Sequence, residues 1–330
     1  MKSTIYNDQL IIVTGGAGFI GSATVRCLND KGIDNILIVD DLGTTEKWKN
    51  LVGKRFVDII DKGQLFQWLE GKENDIEAFI HLGACTSTVE TDAKYLLENN
   101  YRYSVKLAEY ALRNGIRFIY ASSAATYGMG EQGFCDDEAN LESLYPLNMY
   151  GYSKHLFDLW VKGQGVLNQV AGLKFFNVFG PNEYHKKRMA SAIFHAFPIA
   201  YKEGVIRLFK SSDPEKFADG DQVRDFIYVK DVARMISSFL DHDHKGIYNI
   251  GTGIANSWNL VARSIFKALN RPVNIQYIDM PADLAGKYQN YTCADMKKTS
   301  LALKEEAKCM SLEDSVIDYV NHYLVPAKTW

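Results

Sequence analysis

The glycine-rich stretch near the amino terminus constrains the fold of this chain more than any other feature. In "LIIVTGGAGFIGSATVRCLNDKG" a strand pattern passes into a helical pattern through Gly15, Gly18 and Gly21, spaced GxxGxxG. Glycines at such positions allow a tight turn, close approach of the backbone to a pyrophosphate, and close packing of helix on strand. A second strand, "NILIVDD", follows, and its Asp40 comes 22 residues after Gly18, where a ribose-binding carboxylate is expected. The stretch predicts a dinucleotide-binding unit; the alternative is a purely structural glycine-rich turn.

Strand and helix patterns continue to alternate after this unit. The segments "EAFIHLGAC", the helical "TDAKYLLENNYRYSVKLAEYALRNG" and "RFIYASSAATYG" follow one another. Strands separated by helices predict an α/β fold with a Rossmann-like doubly wound parallel sheet and helices on both faces. Ligands bind at the carboxyl ends of such strands, where this chain places Gly83–Ala84 and Ser122–Ser123.

Composition and charge restrict the class of protein. With 330 residues, 47% hydrophobic and 23% charged, the chain resembles ordinary globular proteins and has room for about two domains. A net charge of −3 gives no reason to expect nucleic acid or a membrane surface as a partner. Five scattered cysteines without a CxxC pair predict reduced thiols and no metal site. The opening "MKSTIYNDQL" has no apolar leader core, and we expect a cytoplasmic protein.

The segment "YPLNMYGYSK", residues 145–154, holds three tyrosines and one lysine. Tyr150 and Lys154 are four residues apart and share one face of a helix, for which Asn148 is a plausible cap. Tyr152 is rotated from Tyr150 by about 200°, and Tyr145 precedes a proline, which favours extended backbone. The spacing therefore predicts that Tyr150 and Lys154 act together.

With Ser123 upstream, these residues occur in the order found in short-chain dehydrogenases/reductases, and the chain resembles the extended branch of that superfamily. Tyrosine has an ordinary pKa of about 10, and a nearby ammonium and an oxidised nicotinamide favour the phenolate. Such a tyrosine removes a proton from an alcohol while hydride leaves for the cofactor. The alternative for the Tyr–Lys spacing alone is a buried tyrosine beside a solvated lysine. Sugar-nucleotide dehydratases of this branch carry Asp-Glu where this chain has Ala124 and Ala125, which disfavours elimination of water.

Three further segments resemble the ADP-glyceromanno-heptose 6-epimerases of lipopolysaccharide core synthesis. They are "HLGACTSTVETDAKYLLENNY", "FFNVFGPNEYHKKRMASAIFHAF" and "AGKYQNYT". The resemblance implies that bound NADP, one per subunit, takes hydride from C6 of an ADP-heptose and returns it to the other face. It also implies a homo-oligomer, commonly a pentamer.

The resemblance assigns a second acid/base to Lys186. An exposed lysine is a poor base at neutral pH, so Lys186 requires burial or cationic neighbours to lower its pKa. Lys187 and Arg188 are candidates for such neighbours. The alternative for "HKKR" is a solvated basic loop or a phosphate clamp.

The resemblance also implies two sets of binding residues. The cofactor would contact Gly15, Gly18, Phe19, Ile20, Gly21, Asp40, Asp41, Lys47, Lys62, Leu82, Gly83, Ala84, Cys85, Thr86, Asn99, Lys154, Val178 and Lys186. The ADP-sugar would contact Asn177, Arg188, His195, Phe209, Lys210, Ser211, Ser212, Arg224 and Tyr288. Arg224 suits a diphosphate because a guanidinium binds it in a fork. His195, alone on an apolar helix, would otherwise be expected as a core residue.

Three features depart from the family pattern. Asp40–Asp41 replaces Asp-Asn, and the added negative charge disfavours the 2′-phosphate of NADP, so that NAD is the alternative cofactor. Lys47 and Lys62 are candidates for compensating charge, or are simply surface lysines. Arg188 and the long "SDPEKFADGDQVRDF" segment are the other departures, and they would fit a related epimerase or reductase acting on another nucleotide sugar. A non-catalytic NADP-binding regulator is the remote alternative, since it would have no need of Tyr150 and Lys154.

The family pattern predicts two domains that the chain enters more than once. Residues 1–175 with about 228–250 would form the NADP-binding Rossmann domain. Residues 176–227 with 251–330, approximately, would form a smaller α/β substrate-binding domain. The active site would lie in the cleft between them.

Overall fold

A computed structural model describes residues 9–281 and 288–330 of the chain. The first part of the "AGKYQNYT" segment, residues 285–287, lies outside the described residues. So do residues 1–8, on which most of the leader expectation rests.

Seven parallel strands form the central sheet, in the order β10-β6-β5-β4-β1-β2-β3. Their bounds are β1 Leu10–Thr14, β2 Ile36–Val39, β3 Asp58–Ile60, β4 Ile76–His81, β5 Arg117–Ser123, β6 Val170–Phe175 and β10 Gly246–Ile250. The strands are rich in Ile, Val and Phe and largely buried, as expected for a parallel sheet covered on both faces. The strand order reverses at β1: β2 and β3 are added on one side of it, and β4, β5 and β6 on the other. Such sheets bind ligands at this switch point. The predicted α/β doubly wound fold is confirmed.

Helices cover both faces of this sheet. On one face α1 (Phe19–Asp30) packs beside α7 (Val229–Asp241). On the other, α2 (Leu65–Trp68), α4 (Tyr103–Arg113) and α5 (Met149–Gly163) enclose a second core.

The helix expected over residues 91–115 is interrupted. A short α3 (Ala93–Leu96) leads into a π-helical turn, Leu97–Arg102, before α4 begins. The side chain of Asn100 leaves this wider turn, accepts from Cys85 N at 2.8 Å and donates to Cys85 O at 2.9 Å. These tertiary bonds, which helical periodicity does not encode, fix the loop after β4.

Two smaller sheets lie outside the seven-stranded one. In one, β9 (Val223–Tyr228) pairs with β7 (Asn177–Phe179) and β11 (Ala255–Ser257); in the other, β8 (Ile206–Phe209) pairs with β12 (Ile275–Ile278). Their helices are α6 (Ala192–Glu203), α8 (Trp258–Ala268), α9 (Lys297–Leu303) and α10 (Leu312–Tyr319). A separate apolar cluster with Phe179, Phe266 and Tyr319 forms a core here. A smaller α/β region is therefore present, whereas the exact domain limits stay a prediction.

No helix within the described part of the chain is long and apolar enough to cross a membrane.

Candidate active site

The glycine turn, residues 15–18, connects β1 to α1. Gly15 has φ +69°, and a Cβ on it would lie 2.7 Å from the backbone of Gly83 at the end of β4. A Cβ on Gly21 would lie 2.0 Å from the carbonyl oxygen of Gly15. Gly18 precedes α1 and supplies no side-chain cap. The N–H groups and partial positive charge of this helix end are therefore available to an anion such as a pyrophosphate.

A cavity of about 160 Å³ lies beside the glycine turn, at the ends of β2 and β4. Asp40 accepts hydrogen bonds there from Ala17 N at 2.9 Å and from Lys47 Nζ at 2.7 Å. Lys62 donates to Asn99 at 2.9 Å. Lys47 therefore partly neutralises the Asp40 carboxylate. Both of the expected lysines line this small cavity, where a ribose would bind.

A larger cavity of about 470 Å³ runs from the glycine turn along the ends of β4, β5 and β6. It brings together most of the predicted residues: Gly15, Gly18, Phe19, Ile20, Gly21, Asp40, Lys47, Leu82, Gly83, Ala84, Thr86, Ser123, Tyr150, Lys154, Asn177, Val178 and Lys186. The smaller cavity holds the remaining ones on the cofactor side: Asp41, Lys62, Cys85 and Asn99.

Helix α5 presents Tyr150 and Lys154 to the large cavity. Asn148 caps the helix and accepts a hydrogen bond from Gly151 N at 2.8 Å, as predicted. Lys154 Nζ donates to the carbonyl oxygen of Ala121 on β5 at 2.8 Å. Tyr152 is 44% exposed and points away, so the two tyrosines of the helix have different environments.

Burial sets the pKa of both groups on α5. It raises the pKa of Tyr150, against which the hydrogen bond from Ser123 acts. It lowers the pKa of Lys154 to about 8, partly opposed by the Asp158 carboxylate one turn further along the helix. Because desolvation outweighs the Ser123 hydrogen bond, the pKa of Tyr150 stays above its usual value in this structure.

Lys186 enters the same cavity from the segment Tyr184–Met189, here called the Lys186 turn. Its Nζ lies 5.3 Å from the centre of the Phe19 ring at the start of α1. Burial lowers the pKa of Lys186, and the Glu183 carboxylate opposes the shift. Lys187 and Arg188 are exposed and do not cause it, so burial is the cause and the suggestion of cationic neighbours is wrong.

Of the residues expected on the substrate side, Asn177 lines the large cavity and the others lie further out. The guanidinium of Arg224 is buried between two rings, 5.0 Å from the centre of Tyr288 and 5.8 Å from that of Trp258, which lines the large cavity. Phe209 packs edge-on against Tyr288. The structure does not bring Arg188, His195 or residues 210–212 to the cavity wall. His195 is exposed, so it is not the core residue weighed as its alternative.

A comparison with protein families identifies the kind of site. The model of the NAD dependent epimerase/dehydratase family matches residues 11–251. The chain belongs to this family. Its members use a nicotinamide cofactor, and the glycine turn and the Asp40 carboxylate fit a dinucleotide at the switch point of the sheet.

Relatives within the family are similar over nearly the whole chain. An ADP-L-glycero-D-manno-heptose-6-epimerase of Nitratidesulfovibrio vulgaris is 50% identical, covering 96% of this chain and 99% of the relative. A protein of the same name from Fusobacterium nucleatum is 48% identical, with coverages of 96% and 98%. The crystal structure of the Helicobacter pylori ADP-L-glycero-D-manno-heptose-6-epimerase superposes with a TM-score of 0.79 at 26% identity, covering 98% of both chains.

The family contains epimerases and dehydratases, and the turn after β5 bears on which applies. Ala124 and Ala125 follow Ser123 in a 3₁₀ turn, and Ala125 packs against Gly151 at the start of α5. Neither position supplies a proton to a leaving hydroxyl. The site is equipped for transfer of hydride and protons and lacks an acid here for elimination.

Several lining residues were missed from the sequence, among them His185 and Trp258. His185 lines the cavity beside Lys186, and burial together with Lys47 and Lys186 lowers its pKa to about 4, so its ring is neutral at pH 7. Its place next to Lys186 in "GPNEYHK" could have signalled this role. Trp258 follows β11, far along the chain from the catalytic segments, and no local pattern marks it.

Proposed function

We propose that this protein converts ADP-D-glycero-β-D-manno-heptose to ADP-L-glycero-β-D-manno-heptose by epimerisation at C6, in the cytoplasmic supply of heptose for lipopolysaccharide core. Relatives at 50% and 48% identity bear the name of this activity. The observation that carries the proposal is the single cavity that holds Ser123, Tyr150 and Lys154 together with Lys186. Inversion at C6 requires a proton-transfer group for each of the two orientations in which the substrate presents C6. Tyr150 and Lys186 are the two candidates in this cavity.

The residues have distinct proposed roles. Tyr150 removes the proton of the C6 hydroxyl, and Ser123 holds the same oxygen by a hydrogen bond. Lys154, through its ammonium, favours the phenolate of Tyr150. The glycine turn, Asp40 and Lys47 would hold NADP, which would accept hydride from C6, leaving a ketone, and return it, with no net redox change. After the ketone turns in the site, Lys186 supplies or removes the proton from the second approach.

NADP is the proposed cofactor and NAD the alternative. Lys47 already neutralises Asp40, and Lys62 lies in the same small cavity, so two cations face the ribose position. Asp41 lines that cavity as well and opposes a 2′-phosphate. The two lysines support NADP in this proposal, because an ammonium can donate a charge-assisted hydrogen bond to a 2′-phosphate.

Arg224 is the proposed anchor of the ADP diphosphate. Its guanidinium is held between the rings of Tyr288 and Trp258, and burial lowers its pKa. An anion that binds there would be paired with a fixed and desolvated cation.

We further propose that the protein is a homo-oligomer, a pentamer by its family, which light scattering of the purified protein would test.

One experiment tests the activity. The purified protein is incubated with ADP-D-glycero-β-D-manno-heptose without added cofactor, and the C6 diastereomers are resolved. Conversion towards a mixture is expected, which requires both the substrate and a resident, recycled cofactor. Conversion only after addition of NADP⁺ would mean that the cofactor leaves during purification. No conversion with NADP⁺ or NAD⁺ would contradict the proposal and favour another nucleotide sugar.

A further inference from the structure

Asn50 connects two parts of the cleft that are far apart in sequence. It lies in the 3₁₀ turn Glu46–Leu51 and is 2% exposed. Its amide nitrogen lies 3.1 Å from the carbonyl oxygen of Ala17 in the glycine turn. The same nitrogen lies 2.9 Å from the carbonyl oxygen of Asn182 and 3.3 Å from Nδ1 of His185. One side chain therefore bridges the glycine turn and the Lys186 turn.

The Lys186 turn has a backbone that requires support. Asn182 before it and Lys187 within it have φ of +78° and +51°, conformations that residues other than glycine keep only when their surroundings hold them. Glu183 anchors one side of the turn, since its carboxylate accepts from Ser191 Oγ at 2.7 Å and from Tyr319 OH at 3.0 Å. The side facing the cofactor cleft is held by Asn50 and by a 3.0 Å hydrogen bond from Asn182 to Ser22 on α1.

The position of Lys186 follows from this support. Its side chain extends from the turn to the start of α1, with Nζ over the Phe19 ring. The distance from the Lys186 amine to the glycine turn is thus set in part by contacts that pass through Asn50. A shift of about 1 Å in a reacting group costs on the order of a hundredfold in rate.

We propose that Asn50 is a positioning residue for Lys186: it fixes the Lys186 turn to the glycine turn and so holds the second acid/base in place for proton transfer. This inference rests on the proposed function, in which Tyr150 serves one epimer and Lys186 the other. Asn50 bonds to the segment that carries Lys186 and not to Ser123, Tyr150 or Lys154, so its loss should impair the Lys186 side of the reaction more than the Tyr150 side.

Asn29 offers a matched control. It is also buried, and its amide nitrogen donates to the carbonyl oxygens of Ile33 at 3.0 Å and Arg55 at 2.8 Å. Those bonds close the loop after α1 at the opposite end of the strands from the cleft. Asn29→Ala therefore removes a comparable bridging amide without touching the Lys186 turn.

The experiment mixes NADP⁺-loaded enzyme rapidly with each C6 epimer and follows the absorbance of the reduced nicotinamide. Lys186→Ala should abolish reduction by one epimer, which identifies the side that Lys186 serves. Asn50→Ala should slow reduction by that same epimer by about tenfold or more and leave the other epimer within about twofold. Asn29→Ala should change neither rate. A second readout is hydrogen exchange in the cofactor-free protein, where Asn50→Ala should speed exchange of residues 183–190 specifically.

Each other result overturns the inference. Equal slowing of both epimers by Asn50→Ala would indicate a general structural role, and unchanged rates would show that Asn50 does not position Lys186. If Lys186→Ala abolished nicotinamide reduction by both epimers, Tyr150 and Lys186 would not each serve one epimer, and the inference would fail. Failure of the unaltered protein to react with either epimer would overturn the proposed function itself. If Asn50→Ala does not fold, Asn50→Ser, which shortens the donor, replaces it under the same criteria.

Discussion

Tyr150 and Tyr152 show how two positions along a helix separate a side chain that lines the cavity from an exposed one. Tyr150 lines the cavity and hydrogen-bonds with Ser123, whereas Tyr152 is 44% exposed. We predict that Tyr150→Phe folds normally and loses turnover by about 10²–10⁴-fold, the usual contribution of a general acid/base. The measurement is kcat for epimerisation together with the thermal midpoint.

Tyr152→Phe is the matched control for this prediction. It removes the same hydroxyl from the same helix and should keep kcat within about twofold, because side chains away from the site usually change little. Near-native turnover of Tyr150→Phe would refute the assignment of Tyr150 as the acid/base.

At the scale of elements, one turn of α5 sets the charge of Lys154. Burial lowers its pKa to about 8, and Asp158, four residues later, raises it. The ammonium is lost as pH rises through this pKa, so kcat/KM should fall above about pH 8. Asp158→Asn removes the opposing charge, so the pKa of Lys154 falls further and the decline should begin at lower pH.

Other ionisable groups lie near Lys154 and Asp158 on this turn of α5. Lys174 on β6 pairs with Asp158, and His155 follows Lys154 on α5. Burial, with a smaller effect of Lys154, lowers the pKa of His81 on β4 to about 3. Both histidines have lowered pKa values, so neither adds a positive charge above pH 7. The matched control is Glu109→Gln on α4, an exposed carboxylate, which should leave the pH profile in place. An unmoved profile in Asp158→Asn would show that this carboxylate does not set the charge of Lys154.

The same carboxylate joins three elements beneath the site. Asp158 on α5 accepts from Lys174 on β6 at 2.6 Å and from Ser122 on β5 at 2.7 Å, and both charged side chains are fully buried. Removing one partner leaves an unpaired buried charge, so Asp158→Leu or Lys174→Met alone should destabilise the fold by about 3–5 kcal/mol. The double variant should lose much less stability than the sum of the two single losses, because neither charge of the pair is then left buried without its partner.

Urea denaturation of the four proteins measures this coupling. The control is the exposed ion pair Arg26–Asp30, whose atoms lie 2.9 Å apart. Its coupling free energy should be below about 1 kcal/mol. Additive losses for Asp158 and Lys174 would contradict the view that the pair holds these elements together.

At the scale of the whole molecule, the cleft lies where the large sheet meets the region built on β7 and β9. Segments from both parts line it, including β5, α5 and the Lys186 turn. A ligand that fills such a cleft binds the folded state only, so it raises the free energy of unfolding by about 2.7 kcal/mol at a hundred times its dissociation constant.

Thermal unfolding with each cofactor therefore tests the proposed preference. NADP⁺ should raise the midpoint of the cofactor-free protein more than NAD⁺ at equal concentration. Lys47→Ala should reduce the NADP⁺ shift and spare the NAD⁺ shift, because it removes a cation and exposes the Asp40 charge to the 2′-phosphate. Lys49→Ala is the control, since that lysine lies in the same turn, is exposed and pairs with Glu46. A larger shift with NAD⁺ in the unaltered protein would reverse the preference.

Features that depend on neighbours in sequence were accessible without a structure. The glycine turn, the Asn148 cap and the shared helix face of Tyr150 and Lys154 follow from backbone sterics and helix geometry within a few residues. The interruption at residues 97–102 was not accessible, because the bonds of Asn100 to the loop after β4 decide it.

What the sequence determined by itself was thus local conformation, the alternation that makes a doubly wound sheet, and many of the residues that line the cavity. The tertiary structure alone decided the environment of those residues. It buried Lys154, partly buried Lys186, left Arg188 and His195 exposed, and joined Asn50 to a carbonyl 132 residues away. The physical reason is that pKa and position depend on desolvation and on contacts between distant segments, and these exist only once the chain has packed.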